Sequence, residues 1–265
     1  SETMMTKLLV GSSGSDVVVV SESLIPKFIK AGLLQKLDKA KMTELGNIDP
    51  AIGKLLTQVD AENGYVVPYT WGTTGIGYNV DKVKAAFGST DITGSLDLIF
   101  KPENIAKLKD CGVTVLDAPI DIIKIALYYQ GEDPNSEDPK VIDKAVPLLK
   151  AIRPYITTFH SSSYIDALDS GDTCLVLGWS GDIIQARNRA AEAGNGVKIA
   201  YSLPKEGAPQ WFDMLAIPKD AKHVDEAYAY INNLLDPKVM AANTIPFMTV
   251  MTCTYDLKIL LSNME

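Results

Sequence analysis

Five residues, Gly178-Trp179-Ser180-Gly181-Asp182, stand between an apolar run and a helical pattern, and two chemistries can be read from them. A serine between glycines at a strand-to-helix turn is the arrangement of a nucleophile elbow, and Asp213 and His223 follow in the order Ser, Asp, His of α/β-type hydrolases. Against this, the tight turn needs a small residue at the fifth position, and Asp182 would oppose the charge that develops on an oxyanion. The second chemistry is recognition of an organic cation. An indole face attracts an ammonium and its methylenes, while a carboxylate accepts its N–H bonds. Trp179 with Asp182 and Trp211 with Asp213 make that combination twice. A core tryptophan beside a helix-capping aspartate explains either pair alone more simply, so the weight falls on the repetition.

Other motifs carry less. Gly11-Ser12-Ser13-Gly14 follows a helical pattern and precedes a strand, the reverse of a phosphate-cradling loop, and no Gly-Lys-Ser or Gly-Lys-Thr closes it; it reads as a helix-terminating turn. Cys111, Cys174 and Cys253 lack C-x-x-C spacing and are accompanied by only two histidines, His160 and His223, which argues against zinc. One disulfide with a leftover thiol and three buried thiols are both open from the arithmetic. No metal and no cofactor is expected.

These residues need a scaffold. The chain of 265 residues, 46% hydrophobic, can bury the core of one large or two small domains, and two lobes is the expectation. Its longest uncharged stretches, such as Val17-Val18-Val19-Val20, are strand-sized rather than membrane-spanning. The net charge of −8, with scattered Lys and Arg, argues against nucleic acid as a partner. There is no signal-peptide pattern at Ser1, which leaves a mature, trimmed or incomplete chain as the expectation.

Hydrophobic periodicity predicts a helix over 2–10 and a strand over 16–20, then a helix over 24–31 and separate strands over 65–69 and 75–78. Further on it predicts a strand over 113–116 and helices over 120–129 and 139–152, followed by a strand over 155–159, a helix over 162–168 and a strand over 173–177. A long helix over 182–193, strands over 197–201 and 214–217, and a helix over 224–235 complete the pattern. Such alternation is that of an α/β fold. No stretch looks like a flexible linker, so two lobes would be joined through ordered strands.

The stretches PYTWGTTGIGYNVDKVKAAFG, FKPENIAKLKDCGVTVLDAP, FHSSSYI, GWSGDIIQARNRAAEA and LPKEGAPQWFDMLAIPKDAK closely resemble the spermidine/putrescine-binding proteins of bacterial polyamine ABC importers, over about residues 2–240. The resemblance implies a type II periplasmic-binding-protein fold, with two α/β lobes and a ligand cleft between them: residues 1–74 and 214–265 in the first lobe, 75–213 in the second. It implies capture of putrescine or spermidine in the periplasm, without catalysis, by a monomer that serves the membrane permease subunits of the importer. Carried over position by position, Ser21 matches a first-lobe contact, Asp121 an acidic residue that holds one amine, and Trp179 the ring that packs on the methylenes. Asp182 and Asp213 match carboxylates for the amines, and Trp211 an aromatic wall. Trp211 points toward spermidine, and Asp182 toward the members that prefer putrescine. The segments KDCGV and GDTCLV resemble the paired cysteine segments of putrescine-binding relatives, which implies a Cys111–Cys174 disulfide. The chain departs from the family in three places. It starts after the family's first strand, its Trp-Ser-Asp-Tyr segment and its first helix; it has Asp121 where members carry Glu; and from Ala241 onward it does not match the family's return strands.

Overall fold

The structure, a computed structural model, describes residues 2–11, 13–247 and 250–251. The chain forms two compact units, residues 1–71 with 211–265 and residues 72–210. The strands are β1 (Val18–Ser21), β2 (Val66–Asn79), β3 (Val113–Val115), β4 (Thr158–Phe159), β5 (Leu175–Trp179), β6 (Ile199–Ser202), β7 (Gln210–Ala216) and β8 (Val250–Met251). The chain passes from one unit to the other inside β2 and again at the start of β7. These crossings fall three residues before the positions the sequence suggested, so Trp211 and Asp213 belong to the first unit. The reason is pairing: β7 from Asp213 to Ala216 lies in register against β1.

In the first unit β1 and β7 are antiparallel, with Val18 opposite Ala216 and Ser21 opposite Asp213. The helix Glu2–Leu9 buries Leu8 and packs Met4 and Met5 on the same core as Val18, Val20, Phe28 and Met214. Gly11, at a φ of 69°, ends that segment in the left-handed conformation that favours glycine. A second cluster gathers Leu37, Val67, Leu215 and Ile217 under Tyr228, Ile231 and Leu235 of the helix Val224–Leu235. Among the described residues, no helix is long and apolar enough to cross a membrane.

In the second unit the C-terminal half of β2 lies between two antiparallel neighbours, β5 (Gly75 opposite Gly178) and β6 (Gly77 opposite Tyr201). Beyond β5 the pairing turns parallel, first to β3 and then to β4. Helices follow the C-terminal ends of β3 and β5: Pro119–Gln130 after three residues and Ser180–Ala193 directly. Ile183 of the second presses so closely on β2 that a Cβ at Gly77 would lie 2.7 Å from it. Cys111 and Cys174, just before β3 and β5, form a disulfide with their Cα atoms 5.6 Å apart. Between them Gly112, at a φ of 90°, has no room for a Cβ, which would meet the Asp172 carbonyl at 2.8 Å.

Several expected elements differ. The two strands expected over 65–69 and 75–78 are one, β2, because the intervening Trp71 and Thr73–Thr74 suit extended backbone and Thr74 already pairs with Trp179. The helix expected over 139–152 is two, Pro139–Ile142 and Ala145–Ile152. Pro147 lacks an N–H and would clash with the carbonyl four residues back, at Asp143, where the break falls. The strand expected over 155–159 shrinks to Thr158–Phe159, since Pro154 holds a short 3-10 turn over Arg153–Tyr155. Cys253 lies outside the described residues.

Candidate ligand-binding site

Within the second unit, the sheet itself places two of the acidic candidates. β3 and β5 are parallel neighbours, with Val115 opposite Leu177, so the chain leaves both at the same edge of the sheet. Asp121 lies half-buried in the first turn of Pro119–Gln130, and Asp182 half-buried in the first turn of Ser180–Ala193. That edge, outside the carboxyl ends of parallel strands, is where open α/β sheets hold their ligands. Both carboxylates also gain from the amide-rich start of a helix.

Trp179 ends β5 and immediately precedes the helix that carries Asp182. The two are tied together by Tyr164, a residue the sequence reading did not single out. Its hydroxyl donates to Asp182 Oδ2 at 2.6 Å and accepts from the Trp179 amide at 3.3 Å. Tyr164 is fully buried, with its ring against Gly178, where a Cβ would come within 3.2 Å of it. Burial raises the Asp182 carboxyl above its ordinary range, and the Tyr164 hydrogen bond partly offsets that. Ser180, the would-be nucleophile, accepts at Oγ from the Thr73 amide at 3.2 Å. Thr73 Oγ1 lies 2.8 Å from the Tyr201 hydroxyl, and burial pushes the Tyr201 pKa up to about 12.

Within the first unit, alternation along β7 puts Trp211 and Asp213 on one face and the buried Phe212 on the other. Ser21 pairs directly across from Asp213 and shares its face, so the three first-unit candidates come together. Glu22 was not anticipated either. Its carboxylate accepts from the Phe212 amide at 2.9 Å and from the Ser21 hydroxyl at 3.2 Å. Burial, reinforced by the charge of Glu22, pushes the Asp213 pKa up to about 6. The Nε1 atoms of Trp71 and Trp211 are buried without a hydrogen-bond partner among the described residues.

The hydrolase reading fails on the same geometry. His223 is exposed and its Nδ1 lies 2.8 Å from Asp16, a surface ion pair, so its partner is Asp16 and not Asp213. Asp213 is instead a strand residue opposite Ser21. Among the described residues no group of His, Cys, Asp and Glu is arranged to hold a metal ion.

Two α/β units joined by crossing strands, each offering an aromatic ring and a half-buried carboxylate, describe a binding protein, and the family bears this out. The chain belongs to the bacterial extracellular solute-binding proteins, whose family pattern matches residues 1–257. More narrowly, it is 51% identical over 243 residues to the putrescine-binding periplasmic protein SpuD of Pseudomonas aeruginosa, covering 92% of this chain and 66% of that protein. It is 50% identical over 241 residues to the putrescine-binding periplasmic protein PotF of Escherichia coli, covering 91% and 65%. Among solved structures it resembles the spermidine/putrescine ABC transporter substrate-binding protein PotD of Streptococcus pneumoniae, with a TM-score of 0.78 and 25% identity over 97% of this chain and 74% of that one. The chain thus spans just under two thirds of the length of the curated relatives named here. These are solute-binding proteins rather than enzymes, and the fold is theirs.

Proposed function

We propose that this chain captures a polyamine, putrescine or spermidine, in the periplasm and delivers it as a monomer to the membrane permease subunits of an ABC importer. Ser21, Trp211 and Asp213 of the first unit and Asp121, Trp179 and Asp182 of the second would contact the ligand. The carrying observation is that Asp182 and Asp213 are both withdrawn from water, yet neither has a basic partner among the described residues. Desolvated carboxylates need a cation. A diamine supplies one at each end, and its methylenes suit the faces of Trp179 and Trp211. The names of SpuD and PotF support the same ligand class.

Calorimetric titration with putrescine, spermidine and spermine, run alongside an ester-hydrolysis assay, tests the proposal. Saturable heat with at least one polyamine and no hydrolysis is expected. No heat with any of the three would overturn it.

A further inference from the structure

We propose that Tyr164 is the positioning residue of the second unit's half of the site, its hydroxyl fixing together the direction of the Asp182 carboxylate and the backbone that carries the Trp179 ring. The inference rests on the polyamine reading above and adds to it a residue that would not touch the ligand. Tyr164 opens the short helix Tyr164–Asp169, and its side chain crosses to the turn between β5 and Ser180–Ala193. There one oxygen serves both functional residues, as donor to Asp182 and acceptor from Trp179. A buried tyrosine hydroxyl needs a partner, and a phenol with both roles filled cannot rotate without losing one. Gly178 is the third part of the arrangement, because any side chain there would push the ring away.

The same contact governs the charge on Asp182. Burial disfavours the carboxylate, and the Tyr164 hydrogen bond, alongside the helix start, favours it. The basic groups on the adjoining helices are engaged elsewhere. Arg189 pairs with Asp166 and Asp169, Arg187 donates to Asn188, and Tyr201 on β6 is bonded to Thr73. Without the hydroxyl, Asp182 would therefore take up its proton at a higher pH, and its freed oxygen could turn away from the amine.

Tyr164→Phe keeps the ring on Gly178 and removes only the hydroxyl. Two measurements on this variant and the parent chain test the proposal: the Asp182 carboxyl carbon followed by NMR against pH in the ligand-free protein, and putrescine affinity from pH 5 to 8. The expected result is a higher titration midpoint for Asp182, affinity about tenfold weaker at neutral pH, and an affinity loss on acidification that begins at higher pH than in the parent. A tyrosine that merely filled the core would leave the midpoint in place. An unmoved midpoint with an unchanged pH profile of binding overturns the proposal. Asp182→Asn, titrated in parallel, separates the two levels: if it binds putrescine as tightly as the parent, the placement of Asp182 at the ligand is what fails, while the NMR midpoint still reports on Tyr164.

Discussion

If Asp213 holds an ammonium, polyamine affinity must fall on acidification through a pH range in which the ligand does not change charge. The perturbation is a shift from pH 7.5 to pH 5. With the Asp213 pKa pushed up to about 6, by burial first and the Glu22 charge second, the carboxyl is about 97% ionised at pH 7.5 and about 9% ionised at pH 5. Alkyl amines, with pKa values of about 10, stay protonated throughout. Apparent affinity scales with the competent fraction, so Asp213 alone predicts a loss of about tenfold, with a slope approaching one decade per pH unit below 6. Asp182, also raised by burial, acts in the same direction and steepens the slope. Calorimetry at four pH values, repeated in buffers of different ionisation enthalpy, measures both the affinity and the proton released, about half a proton from Asp213 at pH 6. The linkage has a second consequence, with a definite sign. The folded carboxyl binds its proton more tightly than the unfolded one, whose ordinary value is 3.8. Stability of the free chain therefore falls as pH rises through the window from about 4 to 6. Asp213→Asn should stabilise the free protein at neutral pH, weaken binding and flatten its pH profile. An affinity constant within twofold from pH 8 to pH 5 would refute the reasoning.

Asp213→Ala should weaken polyamine binding by more than tenfold, in line with the roughly 2 kcal/mol or more that loss of a charge partner costs; an unchanged titration removes the residue from the site. In denaturant without reductant one thiol, Cys253, should react, and reduction of Cys111–Cys174 should lower stability by about 4 kcal/mol in the chain-entropy model; three reactive thiols in protein prepared under oxidising conditions would contradict the bridge. Gly77→Ala places a Cβ 2.7 Å from Ile183 and should cost about 1–3 kcal/mol by denaturant titration, with no cost expected only if the helix Ser180–Ala193 is free to shift. Ser180→Ala should leave any trace of esterase activity unchanged, and loss of a robust turnover would reopen the hydrolase reading.

Much of the scaffold was legible because its signals are local. The helix Val224–Leu235 keeps its expected bounds, since Ala227, Tyr228, Ile231, Leu234 and Leu235 recur at helical spacing on one buried face. Val80–Phe87 could have been read the same way, from the Asn79 side chain capping the Lys82 amide and the left-handed Gly88 after its last residue, but its apolar stripe is thin, with Val83 alone fully buried. The candidate site was legible only in part. Trp179, Asp182, Trp211 and Asp213 announce themselves as residue types, and the pairing of Ser21 with Asp213 brings together positions that sequence separates by almost the whole chain. Tyr164 and Glu22 were missed because each looks ordinary: one is an aromatic residue at the start of a short helix, the other an acid after a strand. Their roles come from contacts across 18 and 190 residues of sequence, which no periodicity encodes.

Those two residues also bear on how such a site selects its ligand. Each carboxylate has a neutral or like-charged neighbour, Tyr164 bonded to Asp182 and Glu22 repelling Asp213, where a structural aspartate would have an arginine or lysine. A built-in basic partner would satisfy the carboxylate in the free protein and would have to be displaced by the ligand's amine. With no basic side chain beside either one among the described residues, the free protein carries the cost of desolvation, and a cation able to reach the carboxylate relieves it. On the contacts proposed above, a monoamine would relieve one of the two and a diamine both, so selectivity for two charges would follow from leaving both carboxylates without a basic side-chain partner among the described residues. Installing a competitor tests this directly. Thr73→Lys, next to Ser180 at the start of the helix that carries Asp182, should lower the Asp182 titration midpoint and weaken putrescine more than a monoamine of equal length. Equal weakening of the two would mean that Asp182 does not distinguish a second charge.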